Sequence, residues 1–348
     1  MIGAMAFDWE KYGYDLPAEL IAKAPAQPRD SARLLIYDTK SGKISFDSFR
    51  RLGKYLPAGS FLVLNKTKVL PARIILRKET GGLVRVLFLL NEPARREEFK
   101  ILADRKIKTG DRLYFGRRHW AVVSGQRENV FFVRLNFSEK ILSGILRRKG
   151  RMPIPPYIKK TPLKEKDLRR QYQTIFAQEP GSVAAPTASL HFTDRVFRDL
   201  ARQGIGKFFL TLHVGLGTFA PVRPENFSAK KLHEEYFEID PQTVKGMAAR
   251  RRKGEKAVAV GTTAVRALES FSGKRGLDKT DIFIMSGYEF KRTDALITNF
   301  HVPKSSLMLL VEAFLKFKKA EMGIIDLYAI AKKEKFRFYS FGDAMLIL

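Results

Sequence analysis

Between residues 61 and 135, short apolar runs are separated by turn or charged residues. The runs fall at 61–64, 73–76, 84–90, 112–115, 120–124 and 130–135, with Gly81-Gly82, Gly110-Asp111 and Gly125 between them. They are rich in β-branched and aromatic residues and enclose no long helical stretch, which predicts a small barrel or sandwich. Beyond this region the period changes, and strands predicted at 207–214, 257–260 and 282–285 alternate with helices. Thr193 is placed to cap a helix over 194–203 that Gly204 closes. Asp240 caps another, with Pro241 in its first turn and Gly254 beyond its end. Further helices are expected over 138–149, 263–271 and 304–317. A short helix at 17–22 and a strand at 33–37 precede the β region, which makes that region an insertion. The expected fold class is an α/β main domain, a mixed sheet with flanking helices, interrupted by an all-β barrel-like domain. The boundaries fall at 1–57 and 149–348 for the discontinuous α/β catalytic domain and at 58–148 for the insert.

The 348-residue length exceeds what one core usually organises, and 45% hydrophobic with 29% charged residues is ordinary for a folded chain. Cysteine is absent, which removes disulfides, thiolate nucleophiles, iron–sulfur clusters and sulfur-ligated zinc. No apolar run is long enough to span a bilayer, and Asp8 and Glu10 interrupt the N-terminal stretch, so a cytoplasmic protein without membrane association is expected. Charge changes the picture most: 64 Lys plus Arg against 36 Asp plus Glu gives +28. A polyanionic partner is the first reading and a heat-adapted, lysine-rich surface the second. The tract Arg147, Arg148, Lys149, Arg151, Lys159 and Lys160 contains no acidic residue and is rich in proline, as an extended phosphate-tracking surface would be. Tyr157 and Tyr172 lie close enough to stack on unpaired bases, or simply to pack.

The five histidines are too scattered for metal-ligand spacing, and no metal site is expected. Three of them sit in segments that resemble ligand cradles. His191 ends EPGSVAAPTASLHFT (179–193), whose small residues allow close backbone approach and whose helix start suits an anion; a plain capped turn reads equally well. His213 ends a strand before Gly215 and Gly217, where α/β sheets bind ligands; the third glycine of a dinucleotide fingerprint is missing. In VGTTAVRALES (260–270), Thr262 and Thr263 open a helix and Arg266 lies one turn inside, either serving a carboxylate or phosphate or paired with Glu235 or Glu269. In DALITNFHVPKSS (294–306), a strand runs into Asn299, suited to a base edge, then His301 and Lys304, suited to phosphate. Several polar strand ends in one domain are what a single cleft requires.

Taken together these motifs are collinear with a known pattern. YDLPAELIAKAPAQPRDSARLL, MPIPPYIKK, YQTIFAQEPGSVAAPTASLHFT, TLHVGLGTFAPVR, AVAVGTTAVRALES, DALITNFHVPKSSLMLLVEAF and FRFYSFGDAMLI make the chain resemble, along almost its whole length, the S-adenosylmethionine:tRNA ribosyltransferase-isomerase family of the queuosine pathway. The resemblance implies a large α/β domain interrupted by a barrel. It also implies a reaction: the ribosyl moiety of S-adenosylmethionine moves to preQ1 at the tRNA wobble position, giving epoxyqueuosine, adenine and methionine. Prosthetic groups are not implied, S-adenosylmethionine being the ribosyl-donor substrate, and the partner is preQ1-containing tRNA bound by a monomer or homodimer. Within the matching segments, His191, His213 and His301 are the expected bases or proton carriers, and Glu179, Glu235 and Glu269 the carboxylates that orient them or steady the sulfonium. Thr187, Gly215, Gly217, Thr262, Thr263, Arg266, Asn299 and Lys304 are the expected substrate contacts. Three positions depart from the family pattern: Lys66 where an acidic residue is usual, Ser189 for a glycine, and Ser286 for a proline. Serine is expected to be strained if position 189 needs a positive φ. A non-catalytic RNA binder and an ordinary methyltransferase remain as alternatives.

Overall fold

The computed structural model describes residues 8–90, 98–158, 160–215 and 222–348. Its centre is a nine-stranded mixed sheet in the order Asp278–Ile282, Lys231–Glu238, Gly206–Leu212, Ser60–Asn65, Lys256–Val260, Ala295–Asn299, Ala344–Ile347, Arg33–Tyr37 and Ile44–Ser48. Four adjacent strands, Gly206–Leu212, Ser60–Asn65, Lys256–Val260 and Ala295–Asn299, are mutually parallel. Ala344–Ile347 runs antiparallel beside Ala295–Asn299, so its first residue lies level with Asn299. Parallel strands are covered on both faces, and the sequence of Ser60–Asn65 reflects this: every residue is buried. Phe61 and Val63 enter one core with the helices Thr262–Ser270, Ser306–Phe317 and Ile324–Lys333. Leu62 and Leu64 enter the opposite core with Phe49, Leu52, Val196 and Leu200. Among the described residues no helix is long and apolar enough to cross a membrane.

The second body is a closed six-stranded antiparallel barrel formed by Arg73–Lys78, Leu83–Leu89, Phe99–Ala103, Arg112–Tyr114, Trp120–Arg127 and Val130–Leu135. Alternate residues such as Ile74, Leu76, Val84, Val86 and Phe88 fill it, and Leu142, Ile145 and Leu146 of the helix Glu139–Lys149 join the same core. Two sequence expectations need correction here. The 61–64 run is no barrel strand but the centre of the main sheet, and its uninterrupted apolar character is what a doubly covered strand requires. The sixth barrel strand is Phe99–Ala103, whose half-exposed, charge-flanked sequence gave little β signal. In the main sheet, the strand expected at 282–285 lies at Asp278–Ile282, and Lys231–Glu238 was not anticipated. Both are polar strands on the sheet's flank, where neither alternation nor hydrophobicity is enforced.

The chain leaves the barrel beside the strand through which it entered. Arg151 N–H donates to the Arg73 carbonyl at 2.7 Å, and Arg73 N–H to the Arg151 carbonyl at 3.2 Å. This crossing is tight at Gly150, where a Cβ would lie 1.9 Å from the Pro71 carbonyl oxygen and 2.4 Å from that of Leu146. Backbone cannot yield as a flexible side chain does, so Gly150→Ala is expected to destabilise by about 2–3 kcal/mol, the upper part of the overpacking range. Denaturant titration checks this, and an unchanged midpoint would contradict the tight junction.

Candidate active site at the carboxyl ends of the parallel strands

The four parallel strands end on one side of the sheet, at Asn65, Leu212, Val260 and Asn299, where α/β sheets place ligands. A cleft opens there. It is lined by Ala185–Ala188, Val214, Gly261, Thr262, Thr263 and residues 298–302, with Tyr157, Tyr339 and Ser340 on another side. Gly261 makes the strand-to-helix turn with φ +87°, and its N–H donates to Ile297 O at 2.7 Å. A Cβ on Gly261 would sit 3.6 Å from that of Ala188, so the small-residue segment packs closely on the turn. Thr262 and Thr263 are buried at the start of the helix Thr262–Ser270, whose first N–H groups lack intrahelical acceptors.

The cleft is fixed from beneath by Asn65, a residue that the sequence reading passed over. Its Oδ1 accepts from Thr67 N–H at 3.1 Å and Leu212 N–H at 3.0 Å. Its Nδ2 donates to Leu212 O at 2.9 Å and lies 3.4 Å from Thr263 Oγ1. Thr67 in turn places its hydroxyl 3.0 Å from His213 Nδ1 and 2.6 Å from Ser182 Oγ. Ser182 Oγ also accepts Val214 N–H at 2.8 Å.

The three histidines occupy different environments. His213 packs against Gly181, where a Cβ would lie 2.7 Å from its Nδ1, and Thr67 holds that nitrogen while Nε2 remains the ring's other polar atom. Burial lowers its pKa, and the charge of Glu179 opposes the shift. His301 lies at the cleft, its N–H donating to Tyr328 Oη at 2.7 Å, its carbonyl accepting from Tyr14 Oη, and its Nε2 3.3 Å from Thr298 Oγ1. Burial pushes its pKa down to about 3. His191 lies behind the cleft wall, its ring centroid 5.0 Å from that of Phe49 and its Nε2 3.4 Å from Asn299 Nδ2; burial pushes it down to about 4. The Asn299 amide also faces the Asp343 carbonyl at 3.3 Å, which can only accept. Nδ2 must therefore point that way, His191 must present a lone pair, and the buried Asn299 Oδ1 has no partner among the described residues. His191 thus faces the Asn299 amide and is not part of the cleft lining.

The carboxylates and Arg266 are also redistributed. Arg266 and Glu235 form a buried ion pair, the alternative pairing considered from sequence, and Glu235 Oε1 accepts Gly215 N–H at 2.9 Å. Arg266 therefore sits beneath the 213–215 turn rather than in the cleft lining. Glu269 accepts from Lys291 N–H at 2.9 Å, Arg292 N–H at 3.0 Å and Thr293 Oγ1 at 2.8 Å, which ties down a loop, and it is not part of the cleft lining. Glu179 is half exposed and lies 3.7 Å from Lys66, so the departing lysine has a local partner. Lys304 is drawn elsewhere, its Nζ 2.5 Å from Glu10 and its N–H bonded to Tyr12 O at 3.0 Å.

Thr187 lines the cleft, Gly215 adjoins it, and Gly217 and Lys159 lie outside the described residues. Arg147, Arg148 and Lys149 are exposed on the last turn of a helix, not in an extended segment, while Arg151 and Lys160 are exposed beyond it. Tyr172 is fully buried and unavailable for stacking, whereas Tyr157 lines the cleft, 2.5 Å from Ser340 Oγ. Ser189 is not among the positive-φ residues, so the expected strain is absent; instead its hydroxyl is buried without a partner among the described residues. Ser286 is exposed beside Gly287, which makes a turn at φ +91°. No group of three or more His, Asp or Glu arranged to hold a metal occurs among the described residues.

The two most strongly depressed histidines, His191 and His301, generate a stability prediction. In the unfolded chain each takes up a proton near pH 6.5, but in the folded chain only near about 4 for His191 and about 3 for His301. The unfolded state therefore binds more protons as pH falls through that window, and stability falls with it. Each histidine contributes a slope of up to about 1.4 kcal/mol per pH unit. Denaturant unfolding from pH 7 to pH 4 checks this; His191→Gln should flatten the slope, and a pH-independent midpoint would contradict neutral burial.

The family model described as "Queuosine biosynthesis protein" matches residues 9–347. The S-adenosylmethionine:tRNA ribosyltransferase-isomerase of Halothermothrix orenii is 44% identical, covering 97% of this chain and 99% of that protein. The enzyme of the same name from Carboxydothermus hydrogenoformans is 43% identical over 97% and 98%. The crystal structure of S-adenosylmethionine tRNA ribosyltransferase from Thermotoga maritima is 31% identical, covering 97% of this chain and all of that one, with a TM-score of 0.52. A match of this extent, in a chain six of whose seven motif segments contribute to one cleft, establishes that the protein belongs to the S-adenosylmethionine:tRNA ribosyltransferase-isomerase family of queuosine biosynthesis.

Proposed function

We infer that this protein modifies tRNA, transferring and isomerising the ribosyl moiety of S-adenosylmethionine onto preQ1 at the wobble position to give epoxyqueuosine, with release of adenine and methionine. The observation that carries this reading is the full-length family match, six of whose seven motif segments contribute to a single strand-end cleft. The reading includes a cytoplasmic setting, action as a monomer or homodimer, and no prosthetic group. It assigns the chemistry to the discontinuous α/β body and gives the inserted barrel no catalytic side chain.

The chemistry asks for three things. A base must take a proton from the donor's C5′, which the adjacent sulfonium acidifies; adenine must be stabilised as it departs; and the preQ1 amine must arrive uncharged. His213 suits the base role best. It is less enclosed than His191, its Nδ1 is oriented by Thr67, and burial keeps it neutral at pH 7. His301, pushed much lower, is a weak base and suits a polar wall of the cleft. The helix start at Thr262 and Thr263 suits the methionyl carboxylate. Asn299 Oδ1 suits a donor group of the nucleoside, and the Arg266–Glu235 pair supports the turn after His213. The exposed cations Arg147, Arg148, Lys149, Arg151 and Lys160 suit tRNA phosphates.

Incubation with S-adenosylmethionine and a preQ1-bearing anticodon stem-loop is expected to yield RNA-dependent adenine and a ribosyl adduct on the RNA. S-Adenosylhomocysteine with methylated RNA would establish the methyltransferase reading instead, and binding without product the non-catalytic one. His213→Gln is expected to lower kcat about 100-fold or more, with KM for the donor within a few-fold and an unchanged Tm. In the wild type the acid limb due to His213 should lie below pH 6.5, because the depressed pKa keeps the base unprotonated above it. Full turnover by His213→Gln would remove this residue from the chemistry.

A further inference from the structure

Outside the cleft, the strongest unassigned feature is an open groove between the barrel wall and the chain that leaves it. Its cations come from three elements: Arg73 and Arg85 from barrel strands, Lys149 from the end of the helix Glu139–Lys149, and Arg151 from the connection that follows. Arg73 and Arg151 face each other directly in an antiparallel bridge, and Arg85 lies diagonally from Arg73 on the neighbouring strand. Like charges placed opposite one another in this way are destabilising unless something anionic lies over them. Burial depresses the Arg73 pKa; Tyr172 opposes the shift and the charge of Arg85 adds to it. Local acids neutralise the cluster only in part. Asp104 accepts the Arg85 backbone N–H at 2.8 Å and pairs with its guanidinium at 3.9 Å, Glu165 is committed to Arg169 Nε at 3.1 Å and Met152 N–H at 3.0 Å, and Arg73, Lys149 and Arg151 have no ion pair among the described residues.

Two further features identify the kind of anion. On the outer barrel face the cations are interleaved with exposed aliphatic residues: Ile75 is 47% exposed opposite Arg85, and Leu83 is 49% exposed opposite Arg77. Alternating charge and apolar surface suits a polymer with both phosphates and sugar or base faces, not a lone inorganic ion. The groove also lies near the cleft along the chain. Ile154 lines the groove and Tyr157 lines the cleft, and three extended residues span at most about 11 Å. That distance is about three nucleotides at ~3.4 Å rise each.

We propose that this groove, formed jointly by Arg73, Arg85, Lys149 and Arg151, holds the RNA backbone a few nucleotides from the base that enters the cleft. The inserted barrel is then one wall of the RNA site. This rests on the tRNA-modifying reading above and adds the two barrel arginines, which lie far in sequence from the basic tract.

The test compares full-length wild type with Arg85→Gln/Arg151→Gln. Both side chains are exposed, so folding is not at stake. Arg195→Gln/Arg202→Gln, on a helix in the core opposite that of the cleft helix, removes equal charge as the control. Binding of a preQ1-bearing stem-loop is measured over a salt series, together with turnover at saturating RNA. The groove variant should bind RNA at least 10-fold more weakly and lose about 0.7–0.9 of salt slope per contact removed. Turnover at saturating RNA should fall less than RNA affinity does, Tm should stay unchanged, and Arg85→Lys should retain binding. Equal behaviour of groove and control variants would overturn the proposal, as would polyglutamate competing as well as the stem-loop. If wild type formed no ribosyl adduct the functional reading would fail, while the binding comparison would still decide the groove.

Discussion

The site depends on one buried amide. Asn65 stands fully buried at the end of the central parallel strand, where the ladder stops and backbone groups would otherwise be left without partners. Its side chain continues the ladder sideways, taking both the N–H and the carbonyl of Leu212, and also fixes Thr67 and touches Thr263. Three segments distant in sequence thereby acquire one geometry: the turn carrying His213, the start of the Thr262–Ser270 helix, and the return at Thr67. An unsatisfied amide at this depth costs about 1–3 kcal/mol, so the arrangement either forms completely or is lost together.

From that constraint follows a division of labour among polar residues that look alike in sequence. His191 is sealed against Phe49 and acts on the Asn299 amide, His301 is held among Thr298, Tyr14 and Tyr328, and His213 keeps the smaller perturbation. Glu235 and Arg266 neutralise one another below Gly215, whereas Glu269 serves the loop through Lys291, Arg292 and Thr293. A buried pair of this kind contributes little net stability, since desolvation offsets attraction, but removing either partner strands a charge. Its value here is the placement of a turn.

Much of the fold was legible because local rules were obeyed. Thr193 accepts from Val196 N–H and Asp240 from Thr243 N–H as their cap positions required, and the barrel strands keep the alternation that closure demands. The same rules misled at 61–64, where a continuous apolar run belongs to a doubly covered strand, and were silent at Lys231–Glu238, where charges face solvent from a flanking strand. At the site, strand-end segments were readable as motifs, and Thr187, Thr262, Thr263, Asn299 and His301 do meet at the cleft. Roles were not readable, because they depend on partners more than a hundred residues away, such as Asn299 for His191 and Tyr12 for Lys304. Asn65 lay unnoticed beside Lys66 because a buried amide has no sequence signature of its own.

The most direct measurement is a crystal structure of the protein with S-adenosylmethionine and a stem-loop lacking a reactive amine. Adenosyl density is expected between the Thr262–Thr263 helix start and Asn299, with a nucleoside donor within hydrogen-bond distance of Asn299 Oδ1 and C5′ facing His213. Donor density elsewhere, with the strand-end cleft holding only water, would contradict the assignment of this cleft as the active site.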